Sequence, residues 1–241
     1  MDIKEFHSVL DSVRFGYNVA KVNTFDYPVN ELINALRLNN YKLILSRVNA
    51  NDINLINQLE TCGFLLKDIQ LTYKYECSEI LPLTLHEDIL IRDARLSDKE
   101  ELYQIAVNSF DGYGHYSADE KITSTQCKEI YGDWIIRSYD NKVANNIIVA
   151  EINGEIAGFL SHKLQEDRCR YAVAGIGAIM PKYRNRGIYR AITISGINWA
   201  IEKQCKWVEH SVLLTNPPVM RLFSKLGFKP ANSAITFHKW L

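Results

Sequence analysis

The residues best suited to chemistry lie in one short segment, Ile179–Tyr189, with the sequence IMPKYRNRGIY. A stretch of strand character precedes it, and apolar residues at helical spacing follow it. The amides of Asn185–Tyr189 would then be free donors at a helix N-terminus, which favour an anion. Gly187 permits close approach of the backbone, and Arg184 and Arg186 add charge-assisted contacts. The segment predicts a pyrophosphate cradle, although a basic first turn on a solvated helix would have the same sequence pattern.

The elements that must position this cradle follow from hydrophobic spacing and turn residues. Ser97 and Glu100 have the spacing of a capping box at the start of a helix. Asn153 and Gly154 both tolerate positive φ, and they separate two apolar runs as in a β-hairpin. From residue 89 onward we predict strands at Ile89–Asp93, Ile147–Ile152, Glu155–Leu164, Tyr171–Met180, Trp207–Leu214 and Ala234–Trp240. We predict four helices in the same part: one from Ser97 to about Asn108, one that runs through Trp134, one at Gly187–Lys203 and one at Pro217–Leu226.

The first part of the chain predicts a smaller αβ unit. Its strands are expected at Tyr17–Val22, Tyr41–Val48 and Ile69–Tyr75, and its helices at Asn30–Leu38 and Ile53–Thr61. Residues 81–88 have no clear period, so we expect an N-terminal αβ domain at 1–87 and a second domain at 88–241.

An internal repeat links the two parts. An offset of 164 residues (227 − 63) places Gly63 on Gly227 and Phe64 on Phe228. Each copy then reads helix, Gly-Phe, polar loop and strand, with the glycine suited to a left-handed helix C-cap. The N-terminal domain is a degenerate half-copy of the second, unless chance or a common αβ unit produced the pattern.

The cradle resembles motif A of the GNAT acetyltransferases, whose pattern is R/Q-x-x-G-x-G/A. Arg184 and Gly187 match it, whereas Tyr189 stands where Gly or Ala is usual. The resemblance implies an α/β GNAT fold with a mixed, mostly antiparallel central sheet flanked by helices. It also implies acetyl-CoA as the acyl donor and no metal. The residues that it assigns to coenzyme binding are Ile179, Arg184, Asn185, Arg186, Gly187, Ile188, Tyr189, Asn216 and Phe223.

A narrower resemblance covers almost the whole chain. The segment Asp11–Gly16 is similar to the D-S-x-F-F-G opening of the TDP-fucosamine acetyltransferases, with Arg14 in place of the first Phe. The segments His115–Asp119 and Tyr131–Ile135 are also similar to that group. The resemblance implies acetylation of the 4-amine of dTDP-4-amino-4,6-dideoxygalactose, a nucleotide-linked amino sugar. Without the resemblance, Phe15 would be interpreted as a core aromatic, Gly16 as a turn residue and Trp134 as a core residue on a helix face.

Acetyl transfer to an amine needs a neutral nucleophile and a polarised thioester carbonyl. The narrower family has a carboxylate just after its first Gly-Phe, which implies Asp68 as the catalytic base. A loop aspartate that caps or solvates a turn would have the same sequence. A backbone N–H near Ile179 is expected to meet the carbonyl. Glu209 and His210 lie on the strand beside the thioester, but alternation sends only one of them to the active face.

The departing thiolate lacks its usual proton donor. The family places a Tyr in the helix after Asn216, and this chain has Phe223 at that position. Three alternatives follow. The thiolate leaves unaided, or it is protonated by water, Tyr183 or Ser224, or the enzyme has lost most of its activity.

Composition excludes several classes of partner. Lys plus Arg equals Asp plus Glu at 28 each, so we expect no basic face for nucleic acid or anionic lipid. No apolar run approaches the roughly 20 residues of a membrane span. The five cysteines are scattered, without a CxxC pair or a histidine at ligand spacing, which fits reduced thiols in a cytoplasm and no metal site.

Three functions are open from the sequence. The first is acetylation of a nucleotide-linked amino-deoxy sugar. The second is acetylation of another small amine or a peptide N-terminus. The third is a non-catalytic acyl-CoA binding module, since Tyr189 and Phe223 both depart from the family pattern. Association into a homodimer is also left open.

Overall fold

The computed structural model describes residues 1–110 and 112–241. Its helices are α1 Val9–Phe15, α2 Val29–Leu38, α3 Ile53–Thr61, α4 Lys99–Ser109, α5 Gly114–Ser117, α6 Ser124–Tyr139, α7 Ile188–Glu202 and α8 Pro217–Lys225. Its strands are β1 Asn18–Lys21, β2 Tyr41–Asn49, β3 Leu65–Glu76, β4 Ile89–Asp93, β5 Asn146–Ile152, β6 Glu155–Glu166, β7 Arg170–Ile179, β8 Trp207–Leu213 and β9 Lys229–Trp240. None of the helices in these residues has the length and apolarity of a membrane span.

The strands of the described residues form one sheet in the order β1-β2-β9-β3-β8-β7-β6-β5-β4. β1 pairs with β2 and β7 with β8 in parallel, whereas the other neighbours are antiparallel. The expected mixed, mostly antiparallel α/β sheet is therefore confirmed. The sheet also crosses the division expected at residue 88, because β3 lies between β8 and β9.

The offset of 164 residues relates the elements as well as the sequence. Residues 53–61 of α3 map onto 217–225, which is α8, and residues 65–76 of β3 map onto 229–240, which is β9. Each register pair between β2 and β9 also maps onto a pair between β8 and β3. The pair Gln70↔Ala234 maps onto itself, so a pseudo-two-fold axis passes between these residues. The predicted repeat is a structural repeat in which each half places its last strand inside the other.

The two faces of the sheet carry different helices. Helices α2, α3, α7 and α8 cover the face that we call the α7 face, where Phe223 and Ile197 pack with Val208. Helices α1, α4, α5 and α6 cover the opposite α6 face, where Leu102 and Ile135 pack with Val149. Burying such apolar side chains supplies most of the driving force for folding.

The start of α4 differs from the prediction. The capping box assigned to Ser97 and Glu100 is wrong, because Asp98 supplies the carboxylate instead. Its Oδ2 accepts from the Arg95 N–H at 2.7 Å and from Arg92 Nη1 at 2.6 Å. Burial raises the pKa of Asp98, but the hydrogen bonds from Arg92 and Arg95 outweigh it and hold that pKa below its usual range. The helix therefore begins after this residue.

The hairpin between β5 and β6 agrees with the sequence. Asn153 has φ 52° and Gly154 has φ 82°, so both turn residues are left-handed. This is the conformation that a two-residue Asn-Gly turn requires.

Candidate functional site

A wedge opens in the sheet between β7 and β8. These strands are in register at Ala172↔Val208 and Val173↔Glu209, and beyond these two pairs they diverge toward their carboxyl ends. From Val173 to Ile179, β7 spans about 20 Å at roughly 3.3 Å per residue. The wedge can therefore accept an extended, chain-like ligand along the free edge of β7.

Ile179 presents its backbone to the wedge. The N–H of the next residue, Met180, donates to the Ala157 carbonyl of the β6 side at 2.9 Å. Because neighbouring N–H groups of a strand point to opposite edges, that of Ile179 points away from β6. This agrees with the expectation of a free amide here.

The loop at the wide end of the wedge is held in left-handed conformations. Asn185 has φ 63° and Gly187 has φ 76°. Hydrogen bonding in α7 starts with Ala191, whose N–H donates to the Gly187 carbonyl at 3.0 Å. Within the described chain the N–H groups of Ile188 and Tyr189 have no backbone acceptor, as at any helix start. A Cβ on Gly187 would meet no atom within 4 Å, so the space before these donors is open.

The two arginines of the loop have different surroundings. Arg186 Nη2 contacts Asp88 Oδ2 at 2.5 Å, and this hydrogen bond is the main cause of a lowered pKa for Asp88. Arg184 Nε reaches the Ile179 carbonyl at 3.4 Å, and its guanidinium forms no ion pair within the described residues. Arg184 is therefore the loop cation left for an anionic ligand.

Ile188 and Tyr189 turn their side chains inward. Ile188 is buried among apolar residues of β5 and β6, and Tyr189 is half-buried between two core clusters. Burial, followed by the nearby Tyr113, raises the pKa of Tyr189. Its bulk in place of Gly or Ala therefore lies in the protein and leaves the mouth of the wedge clear.

Asn216 and Phe223 lie beyond the end of β8. Asn216 is the half-buried N-cap residue of α8, and its side chain makes no capping hydrogen bond. Phe223 is 1% exposed and packs against His210 and Tyr73, with ring centroids 4.9 Å and 5.5 Å away. The structure thus leaves the amide of Asn216 available and places Phe223 in the core.

Alternation separates Glu209 from His210 at the narrow end of the wedge. His210 points to the α7 face, where its Nε2 is buried without a partner. Burial, with a smaller contribution from His162, holds the pKa of His210 well below its usual range. Glu209 points to the other face and accepts from Trp207 Nε1 at 2.9 Å. His210 is therefore a neutral imidazole at the apex, beside Phe223.

The two alternative hydroxyl donors are already engaged. The Tyr183 hydroxyl donates to Glu155 Oε2 at 2.7 Å. The Ser224 hydroxyl donates to the Met220 carbonyl of its own helix at 3.1 Å. Neither is brought to the wedge apex.

Asp68 lies within β3, directly opposite Thr236 of β9. It is 8% exposed, and both of its carboxyl oxygens are buried without a hydrogen-bond partner. The alternative of a turn-capping loop aspartate is therefore wrong. Tyr131 of α6 is a neighbour, since burial first and Asp68 among the nearby groups raise its pKa. An unpaired buried carboxyl group is costly, and it is suited to a ligand that brings a positive charge.

The three segments of the narrower resemblance meet in one network. Tyr116 donates to Asp11 Oδ1 at 3.1 Å, and Arg14 contacts both Asp11 and Asp133. Phe15 is buried beside them. The segments therefore belong together because α1, α5 and α6 pack on one another.

The structure contains a histidine pair, His115 and His238, that the sequence pattern did not predict. Asp119 Oδ2 lies 2.6 Å from His238 Nδ1, and His238 Nε2 lies 2.8 Å from His115 Nδ1. Trp240 also donates to Asp119. Period-2 alternation along β9 could have placed His238 and Trp240 on one face. No group of three or more His, Cys, Asp or Glu in the described part of the chain is arranged for a metal ion.

Comparison with known proteins adds to this geometry. The model of the acetyltransferase (GNAT) family matches residues 100–228. The spore coat polysaccharide biosynthesis protein SpsD of Bacillus subtilis is 25% identical over 143 residues, which are 59% of this chain and 48% of that protein. The mycothiol acetyltransferase of Acidothermus cellulolyticus is 25% identical over 171 residues, 66% of this chain and 50% of that protein. The chain thus spans about half the length of these two relatives.

Solved structures share the fold over most of the chain. A tandem GNAT protein from the clavulanic acid biosynthesis pathway superposes with a TM-score of 0.66 at 12% identity, over 93% of this chain and 76% of that one. At this identity the match concerns the fold alone, and it includes the extra N-terminal half.

Proposed function

The chain belongs to the acetyltransferase (GNAT) family, and from this premise we propose that it transfers the acetyl group of acetyl-CoA to an amine. The wedge between β7 and β8 carries the proposal. It opens onto the free amides at the start of α7, so one cleft offers a cradle for a diphosphate and a strand edge for the arm attached to it.

The charge of the diphosphate and the length of the attached arm determine the proposed position of the coenzyme. Its diphosphate lies on the amides of Asn185–Tyr189 with Arg184 beside it, and Asn216 contacts the arm from the α8 side. The thioester then lies beside Ile179, at the end of β7. The N–H of Ile179 and that of the residue two positions before it point to the same strand edge and face the ligand there. Such fixed donors stabilise the oxyanion that develops when the amine attacks.

Asp68 is the base in this proposal. Its unpartnered carboxyl group receives a proton from the acceptor ammonium, which frees the amine for attack. Both oxygens are covered, so the amine must displace the α5 and α6 residues above them when it binds. Tyr131, whose hydroxyl donates to the Tyr113 carbonyl at 2.8 Å, is one of these.

A nucleotide-linked amino sugar is the proposed acceptor. Support comes from the segments that resemble the TDP-fucosamine acetyltransferases and from the similarity to a protein of spore coat polysaccharide biosynthesis. The similarity to a mycothiol acetyltransferase keeps a different small amine as the second candidate.

An acceptor panel tests both statements. Release of coenzyme A thiol from acetyl-CoA should be fast with a nucleotide-linked 4-amino sugar and slower with an aminoglycoside or a peptide with a free N-terminus. The assay measures kcat/KM for each amine at saturating acetyl-CoA. A preference for the peptide would replace the proposed acceptor, and no release with any amine would favour an acyl-CoA binding module.

Restoring the missing hydroxyl should change turnover little. We expect Phe223→Tyr to raise kcat by less than about tenfold, short of the 10²–10⁴-fold typical of general acid catalysis. A thiol with a pKa near 8.5 leaves readily as the thiolate. In addition, Phe223 is buried against His210, so a new hydroxyl has the unpartnered Nε2 to bind. A nearly inactive wild type rescued a hundredfold would instead identify a decayed enzyme.

A further inference from the structure

A row of three side chains crosses the α6 face near the centre of the sheet. Thr236 of β9 lies opposite Arg47 of β2 on one side and opposite Asp68 of β3 on the other. Paired residues in adjacent strands share a face, so the three side chains point the same way. The row therefore places a guanidinium and a carboxyl group on either side of one threonine.

Arg47 has donors left for a ligand. Its Nε donates to Thr236 Oγ1 at 2.9 Å, which fixes the side chain toward β9. Its guanidinium forms no ion pair with any described residue. Asp68 is equally without a partner, although two oppositely charged groups in one row could have paired. The row thus holds a separated positive and negative charge.

A second positive group lies near Arg47. Lys21 of β1 and the neutral His115 of α5 are its neighbours, and the pKa of His115 lies well below its usual range because of burial first and then the charges of His238, Arg47 and Lys21. The nearby Asp119 does not neutralise Arg47 and Lys21, since it is engaged by His238, Trp240 and Lys67. This side of the row therefore favours an anion.

The internal repeat supplies a neutral copy of the same row. The offset of 164 maps Arg47, Thr236 and Asp68 onto Ser211, Thr72 and Asn232, which also lie side by side in the sheet. In this copy the Thr72 and Ser211 hydroxyls form a hydrogen bond of 3.0 Å. Ser211 and Asn232 of this copy are exposed, whereas Asp68 is buried. The charges therefore lie in the copy where burial makes them costly, which favours a ligand as their reason.

The spacing restricts that ligand. Arg47 and Asp68 are two strands apart, which is about 10 Å between backbones. The bond from Arg47 to Thr236 brings the guanidinium closer than that. One pyranose ring with an amine at one end and a phosphate on its anomeric carbon fits such a gap.

We propose that Arg47 binds an anomeric phosphate of the acceptor, so that the substrate is an amino sugar phosphorylated at C1, free or as a nucleotide diphosphate. This rests on the proposed function, because the amine at Asp68 is the one acetylated. Arg47 would then set acceptor specificity, and Asp68 would act on the amine one ring away.

The first test uses binding alone. Calorimetry with dTDP is done on protein saturated with coenzyme A, which fills the diphosphate cradle of α7. Arg47→Ser copies the residue of the neutral row and should weaken dTDP binding about 10- to 100-fold, the usual scale for a charge-assisted contact. Arg37→Ser, an exposed arginine on α2 at the opposite face, is the matched control and should bind like the wild type.

The second test uses turnover. With a 4-amino sugar as its dTDP derivative or as its 1-phosphate, Arg47→Ser should raise KM about 10- to 100-fold and leave kcat within about threefold. With the methyl glycoside of the same sugar, KM should equal that of the wild type. A raised KM with both the dTDP derivative and the 1-phosphate supports a phosphate site.

The outcomes separate this inference from the proposed function. Equal dTDP affinity and equal KM in Arg47→Ser and the wild type would overturn the phosphate site while acetyl transfer stands. Binding of dTDP that depends on Arg47, without acetylation of any amine, would support the site and remove the proposed reaction. If the coenzyme-saturated wild type binds no dTDP, the phosphate site is wrong.

Discussion

Replacing Gly187 by aspartate should abolish acetyl-CoA binding and leave the fold intact. The residue has φ 76° and faces the open mouth of the wedge, where a Cβ would meet no protein atom within 4 Å. A carboxylate there would stand against the coenzyme diphosphate, and like charges in contact cost several kcal/mol, which is roughly 100-fold or more in affinity. Calorimetry with acetyl-CoA measures the loss, and circular dichroism with thermal melting measures the fold.

Gly187→Asn is the matched control for this substitution. It has nearly the same shape and tolerates the left-handed region about as well as aspartate, but it carries no charge. Both variants bear a similar backbone strain, of order 1–3 kcal/mol for a residue other than glycine. We expect the asparagine variant to bind acetyl-CoA far more tightly than the aspartate variant. Equal affinities of Gly187→Asp and the wild type would remove the coenzyme site from this loop.

The backbone geometry of the proposed cradle could be predicted from sequence because its determinants are local. A strand, a loop with glycine and the start of a helix follow one another within the segment Ile179–Tyr189, and the free amides follow from the helix start itself. The sequence could not show which of the two loop arginines has an ion-pair partner in the protein. Arg186 contacts Asp88, 98 residues away in the chain, and only the folded structure shows this ion pair, whereas Arg184 has none among the described residues.

The arrangement of the sheet could be predicted only in part. The Gly-Phe repeat indicated two similar halves, but it could not show that β3 and β9 are exchanged between them. That exchange depends on pairing between strands far apart in sequence, where a shift of one residue moves every side chain to the other face. The row of Arg47, Thr236 and Asp68 exists only in the observed register, so no pattern within a single strand could reveal it.

Burial explains the differences at Phe223 and His210. Family position placed Phe223 beside the coenzyme sulfur, whereas in the structure it packs into the core with His210 and Tyr73. An aromatic residue on a helix face predicts contact with the sheet, but the sequence does not indicate how far the wedge extends toward it. The unpartnered Nε2 of His210 is likewise a property of packing.

The second large effect is expected at Asp68. If its carboxyl group takes the proton from the acceptor amine, Asp68→Asn should lower kcat about 10²- to 10⁴-fold. The affinity for acetyl-CoA should be unchanged, because Asp68 lies on β3, and β8 stands between it and β7, the strand that leads into the cradle. Stopped assays of thiol release measure kcat, and calorimetry measures the affinity. Asp26→Asn, an exposed aspartate of the same half, is the control and should behave like the wild type.

Stability distinguishes a functional Asp68 from a structural one. A buried carboxyl group whose two oxygens have no partner reduces the stability of the free protein, and an amide in its place is cheaper to bury. The neutral row of the repeat holds Asn232 at the equivalent strand position, so the backbone there is compatible with this residue type. We therefore expect Asp68→Asn to melt at or above the temperature of the wild type while it loses activity, which is the trade-off typical of a catalytic residue. A variant that melts several degrees lower and keeps its kcat would show that Asp68 serves the fold, and the base of the reaction would have to be sought elsewhere on the α6 face.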